Sequence, residues 1–130
     1  MLAVALLNGC SEDRGPERVV VTGTVTYNGK PVPEALIRFV PIHTSAVPMA
    51  GAVVTDGTYR VDIRGGVPVG THRIQIEAYR KITPRPGSSE RLDPRASEQY
   101  LPAKYNVNTQ LEITIPPGSR EITKNFDLTD

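Results

Sequence analysis

Few side chains in this sequence combine a type and a spacing that could do chemistry. His43 and His72 are the only histidines, the natural general bases or metal ligands of such a chain. His72 shares strand parity with Ile74 and Ile76, which places it at the rim of a core; His43 follows Pro41 in a polar stretch that reads as exposed loop. An enzymatic reading needs the two side by side in a cleft. Cys10 is the sole cysteine, so no internal disulfide forms, and no CxxC or HxxxH spacing is present to hold zinc. No serine sits in a G-x-S-x-G elbow, no GxGxxG or P-loop run occurs, and Gly65-Gly66 alone is too little for a phosphate cradle. Glu12-Asp13 is an isolated acidic pair, short of the closely spaced ligands of a calcium loop. The residues point to a protein without catalytic side chains, metal or cofactor.

Binding is better supplied. Arg80, Lys81, Arg85, Arg91 and Arg95 form the one notable basic cluster, interrupted by Glu90 and Asp93, and Tyr100 and Tyr105 follow it. Together they are the candidate binding loop: either a solvated segment, or a contact for anionic lipid headgroups, an acidic polymer or a partner protein. Fifteen basic residues against fourteen acidic ones leave a net charge of +1, which argues against a nucleic-acid partner. Only 5% of residues are aromatic and none is Trp, which leaves little for base stacking or an aromatic sugar-binding strip.

Cys10 has a different chemistry in view. Leu2 to Leu7 are apolar, and Ser11-Glu12-Asp13-Arg14 turn abruptly polar. The apolar run is far short of the ~20 residues that span a bilayer, and short of a full signal-peptide core. Leu7-Asn8-Gly9-Cys10 nevertheless resembles a bacterial lipobox, with Asn8 a departure at minus two and no basic residue ahead of the run. The expectation is a truncated signal peptide over 1–10, with the true start codon upstream. Cys10 then becomes the lipidated N-terminus, and 11–18 a polar tether to the membrane. Ser11, in place of the Asp that retains many lipoproteins at the inner membrane, leans toward the outer one.

What must position these side chains is a set of strands. Val19, Val21, Gly23, Val25 and Tyr27 fall on one face and Thr22, Thr24 and Thr26 on the other, the period-two signature of a sheet packed on one side. Asn28-Gly29 and Asp56-Gly57 are hairpin turns. Inward-facing sets follow at Ala35, Ile37 and Phe39, then at Tyr59, Val61 and Ile63, and at Ile74, Ile76 and Ala78. Leu111, Ile113 and Ile115, and then Ile122, Phe126 and Leu128, complete the series. Residues 48–55 form a weaker, Ala-rich strand at an edge. Lys124 falls on the inward parity of the last strand and predicts a bulge or an open edge there. The segment 81–108 lacks periodicity and carries four prolines, so it reads as a long loop, with room for a helical turn in 88–100. Seven strands and no long helix predict an all-β sandwich. An unpaired edge at 48–55 or 122–128 could extend the sheet into a homodimer.

The run from Val21-Thr-Gly-Thr-Val-Thr-Tyr-Asn-Gly-Lys-Pro to Pro41 resembles the first hairpin of carboxypeptidase regulatory-like domains. Thr55-Asp-Gly-Thr-Tyr-Arg60 and Gly66-Val-Pro-Val-Gly-Thr-His-Arg-Ile-Gln-Ile76 are similar to later motifs of that family, with His72 where an aromatic is usual. Leu101-Pro-Ala-Lys-Tyr-Asn106 and the terminal Phe126-Asp-Leu128 are similar to small bacterial lipoproteins built on one such domain. The resemblance covers 19–130 and implies a seven-stranded, transthyretin-like (prealbumin-like) Greek-key β-sandwich in the cell envelope. It implies no shared enzymatic activity. Two enzymes use related sandwiches. Intradiol dioxygenases need two Tyr and two His on iron, and no spacing here gathers them. The transthyretin-like hydrolase of 5-hydroxyisourate ends in Tyr-Arg-Gly-Ser, whereas this chain ends Asn125-Phe-Asp-Leu-Thr-Asp130. The functional expectation is a non-catalytic, membrane-anchored lipoprotein with a structural or protein-interaction role. A carbohydrate- or polymer-binding module, with Tyr79 or Tyr100 against glycan, is the alternative.

Overall fold

A computed structural model describes residues 17–43, 48–82, 87 and 97–130. Their architecture is all-β, with no α-helix among the described residues. Chain order runs β1 (Arg18–Tyr27), β2 (Lys30–Pro31), β3 (Glu34–Pro41), β4 (Ala50–Thr55), β5 (Thr58–Val61), β6 (Val67–Pro68) and β7 (Gly70–Lys81). It continues with β8 (Ser97–Gln99), β9 (Glu112–Ile115), β10 (Glu121–Thr123) and β11 (Phe126–Leu128). The seven expected strands are all present, the last of them split in two; β2, β6 and β8 are short additions.

The strands form one mainly antiparallel sheet that curls on itself, an arrangement consistent with a β-sandwich. On one side β4, β3 and β7 lie in sequence, with β9 and β8 along the far side of β7. On the other, β5 lies against β1, and β10 and β11 pair with β1 in parallel. The β4–β5 hairpin crosses from one half to the other through a single rung, Thr55 with Thr58. Both hairpin turns form as the residues predict: Asn28-Gly29 and Asp56-Gly57 all have positive φ, the two-residue turn whose twist matches its strands.

The alternating valines and isoleucines fill the space between the halves. Val19, Val21, Val25, Ile37, Val54, Ile74, Ile76 and Ile115 are fully buried, and Phe39 spans to Tyr59 with ring centroids 6.4 Å apart. Tyr59 in turn meets Phe126 at 6.3 Å. Burying side chains of this size stabilises the fold by ~1.5–3 kcal/mol each.

Four expectations change. Ile63, read as facing inward with Tyr59 and Val61, lies past the end of β5 in a 3-10 turn (Ile63–Gly65) and is exposed. Arg18, assigned to the tether, is already in β1, paired with Pro68. The last strand has no bulge at Lys124: Val20 pairs with Glu121 and Val25 with Phe126, the same register on both sides of the break. The inward parity is instead spent on backbone. Gly23 has no side chain, and the Lys124 carbonyl lies where its Cβ would be, accepting the Tyr59 hydroxyl at 2.6 Å. The side chain of Lys124 is exposed. Finally, 97–108 is not wholly loop: β8 pairs antiparallel with the end of β7, and a 3-10 turn covers Ala103–Tyr105.

Candidate binding surface

The outer face of β3, β4 and β7 carries an apolar shelf. Leu36 pairs laterally with Val53 on one side and Glu77 on the other, so the three side chains form a row across the sheet. Tyr79 stands two residues beyond Glu77 on the same face, paired with Gln99. Leu36, Val53 and Tyr79 are 36%, 56% and 44% exposed, where strand alternation normally puts polar groups. A hollow of about 390 Å³ lies against them, bounded by Glu34, Arg80, Lys81 and Ser97.

Ion pairing fixes this face. Arg38 meets Glu77 at 3.0 Å, and the Tyr79 hydroxyl donates to the same carboxylate at 2.8 Å. That bond to Glu77 raises the Tyr79 phenol above its ordinary value and holds the ring in one orientation. Arg80 donates to Glu98 at 2.8 Å and lies over the Tyr100 ring, 5.5 Å from its centroid. Tyr100 is half-buried and leans on Tyr27 at 6.2 Å. Lys81 is exposed and has no ion-pair partner among the described residues.

The candidate loop is therefore divided. Arg80 and Lys81 come together at the shelf, with Tyr100 behind Arg80. Tyr105 lies elsewhere: it is buried, and its hydroxyl donates to the Thr129 carbonyl and accepts from the Thr129 amide, each at 2.9 Å. That ring is a fastener for the end of the sheet. Arg85, Arg91, Arg95 and Cys10 lie outside the described residues.

The histidines are separated by burial. His43 is exposed beyond β3. His72 sits fully inside the core rather than at its rim, edge-on to Phe39, with Nε2 2.6 Å from the Pro68 carbonyl. A carbonyl only accepts, so Nε2 carries the proton, and Nδ1 has no hydrogen-bond partner among the described residues. No group of three or more His, Cys, Asp or Glu side chains gathers at metal-binding range among the described residues. No helix among them is long and apolar enough to cross a membrane.

Comparison with family models, curated proteins and solved structures gives no match.

Residues the sequence did not single out hold the long connection in place. β8 covers the end of β7 and β9 its beginning, which leaves the far side of Ile74 to Ala78 without a strand. Asn106 fills part of that gap, its buried amide donating to the carbonyls of Ile76 at 3.3 Å and Pro102 at 3.2 Å. Thr109 donates to the Ile74 carbonyl and accepts from the Leu111 amide. The signal available was slight: Asn106 and Thr109 are short polar side chains of the kind that hydrogen-bond backbone, but Asn108 and Gln110 beside them are polar too.

Proposed function

We propose that this chain is a non-catalytic interaction domain of the cell envelope, anchored to the membrane through a lipidated Cys10 and presenting the Leu36–Val53–Tyr79 shelf to a partner protein. The observation that carries the proposal is that shelf: three large apolar side chains exposed together on a rigid sheet face and rimmed by Arg80 and Lys81. A transthyretin-like Greek-key sandwich is the finer reading of the fold. It is supported by the seven main strands and by the last strand returning to lie beside the first. Support for a non-catalytic role comes from His72, whose enclosure in the core closes it to a substrate.

Carbohydrate is the second reading, and one observation favours it. The Tyr79 ring is pinned by Glu77 with polar groups around it, an arrangement that suits a sugar ring as well as a side chain.

Intact mass of the protein extracted from bacterial membranes tests the anchor. Acyl chains on an N-terminal Cys10, lost in Cys10→Ser, are expected; an unmodified chain beginning at Met1 would end the lipoprotein reading. A photo-cross-linker at position 53 of the anchored protein tests the shelf, with exposed position 107 as the control. Polypeptide adducts specific to position 53 support a protein partner, and glycan adducts select the second reading. Equal labelling from both positions would remove the shelf as a binding surface.

A further inference from the structure

A second surface lies at the corner where the sheet curls, away from the shelf. β4 and β5 remain neighbours after the Asp56-Gly57 turn but share only the Thr55–Thr58 rung, so no described strand makes ladder hydrogen bonds to the other side of Ala50–Val54. An unpaired strand side is a row of N–H and C=O groups that can template another backbone. Beside it is a hollow of about 240 Å³ reached by Pro48 to Gly51 of β4 and its approach, and by Val61, Ile63, Arg64 and Arg18 opposite. Met49 and Ile63 stand on its two sides with 56% and 70% of their surface in solvent.

The charge there has one sign. Arg18 and Arg64 line the hollow, no acidic residue does, and neither arginine has an ion-pair partner among the described residues. Arg18 donates to the Gly66 carbonyl at 3.0 Å, which steadies it at the rim. Arg64 is exposed and has φ of 56°, a left-handed conformation uncommon for a non-glycine residue.

We propose that this notch docks an extended peptide strand of a partner protein in which acidic and apolar side chains alternate. The strand's backbone completes the open side of β4, its apolar side chains cover Met49 and Ile63, and its carboxylates meet Arg18 and Arg64. A second copy of this chain fits less well. Isologous pairing through β4 would bring the Arg18 and Arg64 pairs of both copies together, and like charges oppose such an interface.

The test is amide hydrogen exchange and chemical-shift mapping on the domain, titrated with a blocked peptide of about six residues alternating Glu and Val. Slowed exchange within Ala50–Val54, weakened by salt, is expected, and a Lys–Val peptide should bind about tenfold more weakly or worse. Arg64→Gly keeps the backbone, since glycine takes that φ freely, and should lower Glu–Val affinity several-fold. Arg64→Glu should narrow or invert the preference between the two peptides. Ile63→Ser, at a highly exposed position, should weaken both peptides and leave the folded spectrum intact. No protection up to about 1 mM peptide, equal binding of both peptides, or protection that appears with protein concentration alone would each overturn the proposal, the last in favour of self-association. The shelf is untouched by these variants, so either surface can fail without the other.

Discussion

Tyr59 joins three parts of the molecule: its ring lies between Phe39 and Phe126, and its hydroxyl donates to the Lys124 carbonyl. Burial pushes its phenol well above the ordinary value near 10. The folded value exceeds the unfolded one, so this contribution to stability is complete below pH ~10 and is lost as pH rises above that. Tyr59→Phe has no proton to lose. It should cost about 1 kcal/mol at neutral pH through the missing hydrogen bond, yet show a flatter decline above pH ~10; urea midpoints across the alkaline range check both. Asn106→Leu should be worse at neutral pH, by ~1–3 kcal/mol, because it leaves the Ile76 and Pro102 carbonyls unpaired in the interior. A midpoint within error of the parent would show that water replaces the amide. Neither role was legible in the sequence. The alternation gave Tyr59 its inward direction, but the worth of a buried Asn depends on which carbonyls the strands leave open, and that is known only once β8 and β9 have found β7.

At the scale of elements, the seam between β1 and the β10–β11 strand is the most exacting fit. Its outer side is a ladder of small polar groups: Thr22 with Thr123 at 3.3 Å, the Thr24 amide with Asn125 at 3.0 Å, and Thr26 with Asp127 at 2.8 Å. Its inner side requires that position 23 have no Cβ, because the Lys124 carbonyl occupies that space. Gly23→Ala should cost ~2–4 kcal/mol by forcing the two backbones apart. Amide exchange in Glu121–Leu128 should accelerate ahead of that in β3 and β7; uniform acceleration would mean the seam is no weaker than the rest. The hairpins were legible because turn chemistry is local: Asn28-Gly29 and Asp56-Gly57 need only their own φ preferences. The break at Lys124 was legible only as a parity fault. Its cause is a glycine on the first strand of the sheet, and no short-range pattern relates the two. β8 was hidden for a similar reason, since Ser97-Glu98-Gln99 carries no alternation and is a strand because β7 is long enough to offer it an edge. Of the candidate site, Arg80 and Lys81 were found as charges, whereas Leu36, on the outward parity of its strand, and Val53 went unmarked because one apolar residue on an outer face signals nothing until the pairing sets it beside another.

Across the whole molecule, the contacts that close the fold are between its most distant residues. β1 is flanked on one side by β5 and on the other by β10 and β11, so its valines are sealed only when both neighbours are in place. A chain stopped before Glu121 should lack cooperative unfolding, because Val21, Val25 and Tyr59 lose the strand that covers them; a calorimetric transition in that truncation would contradict this. Folding should also be slow for the size, in the millisecond-to-second range usual for sheets built from remote pairings. The parallel seating of the final strand thus acts as a timing device. Until Glu121 to Leu128 have emerged, a growing chain can form its hairpins but cannot close around them, and it stays pliable until that strand arrives.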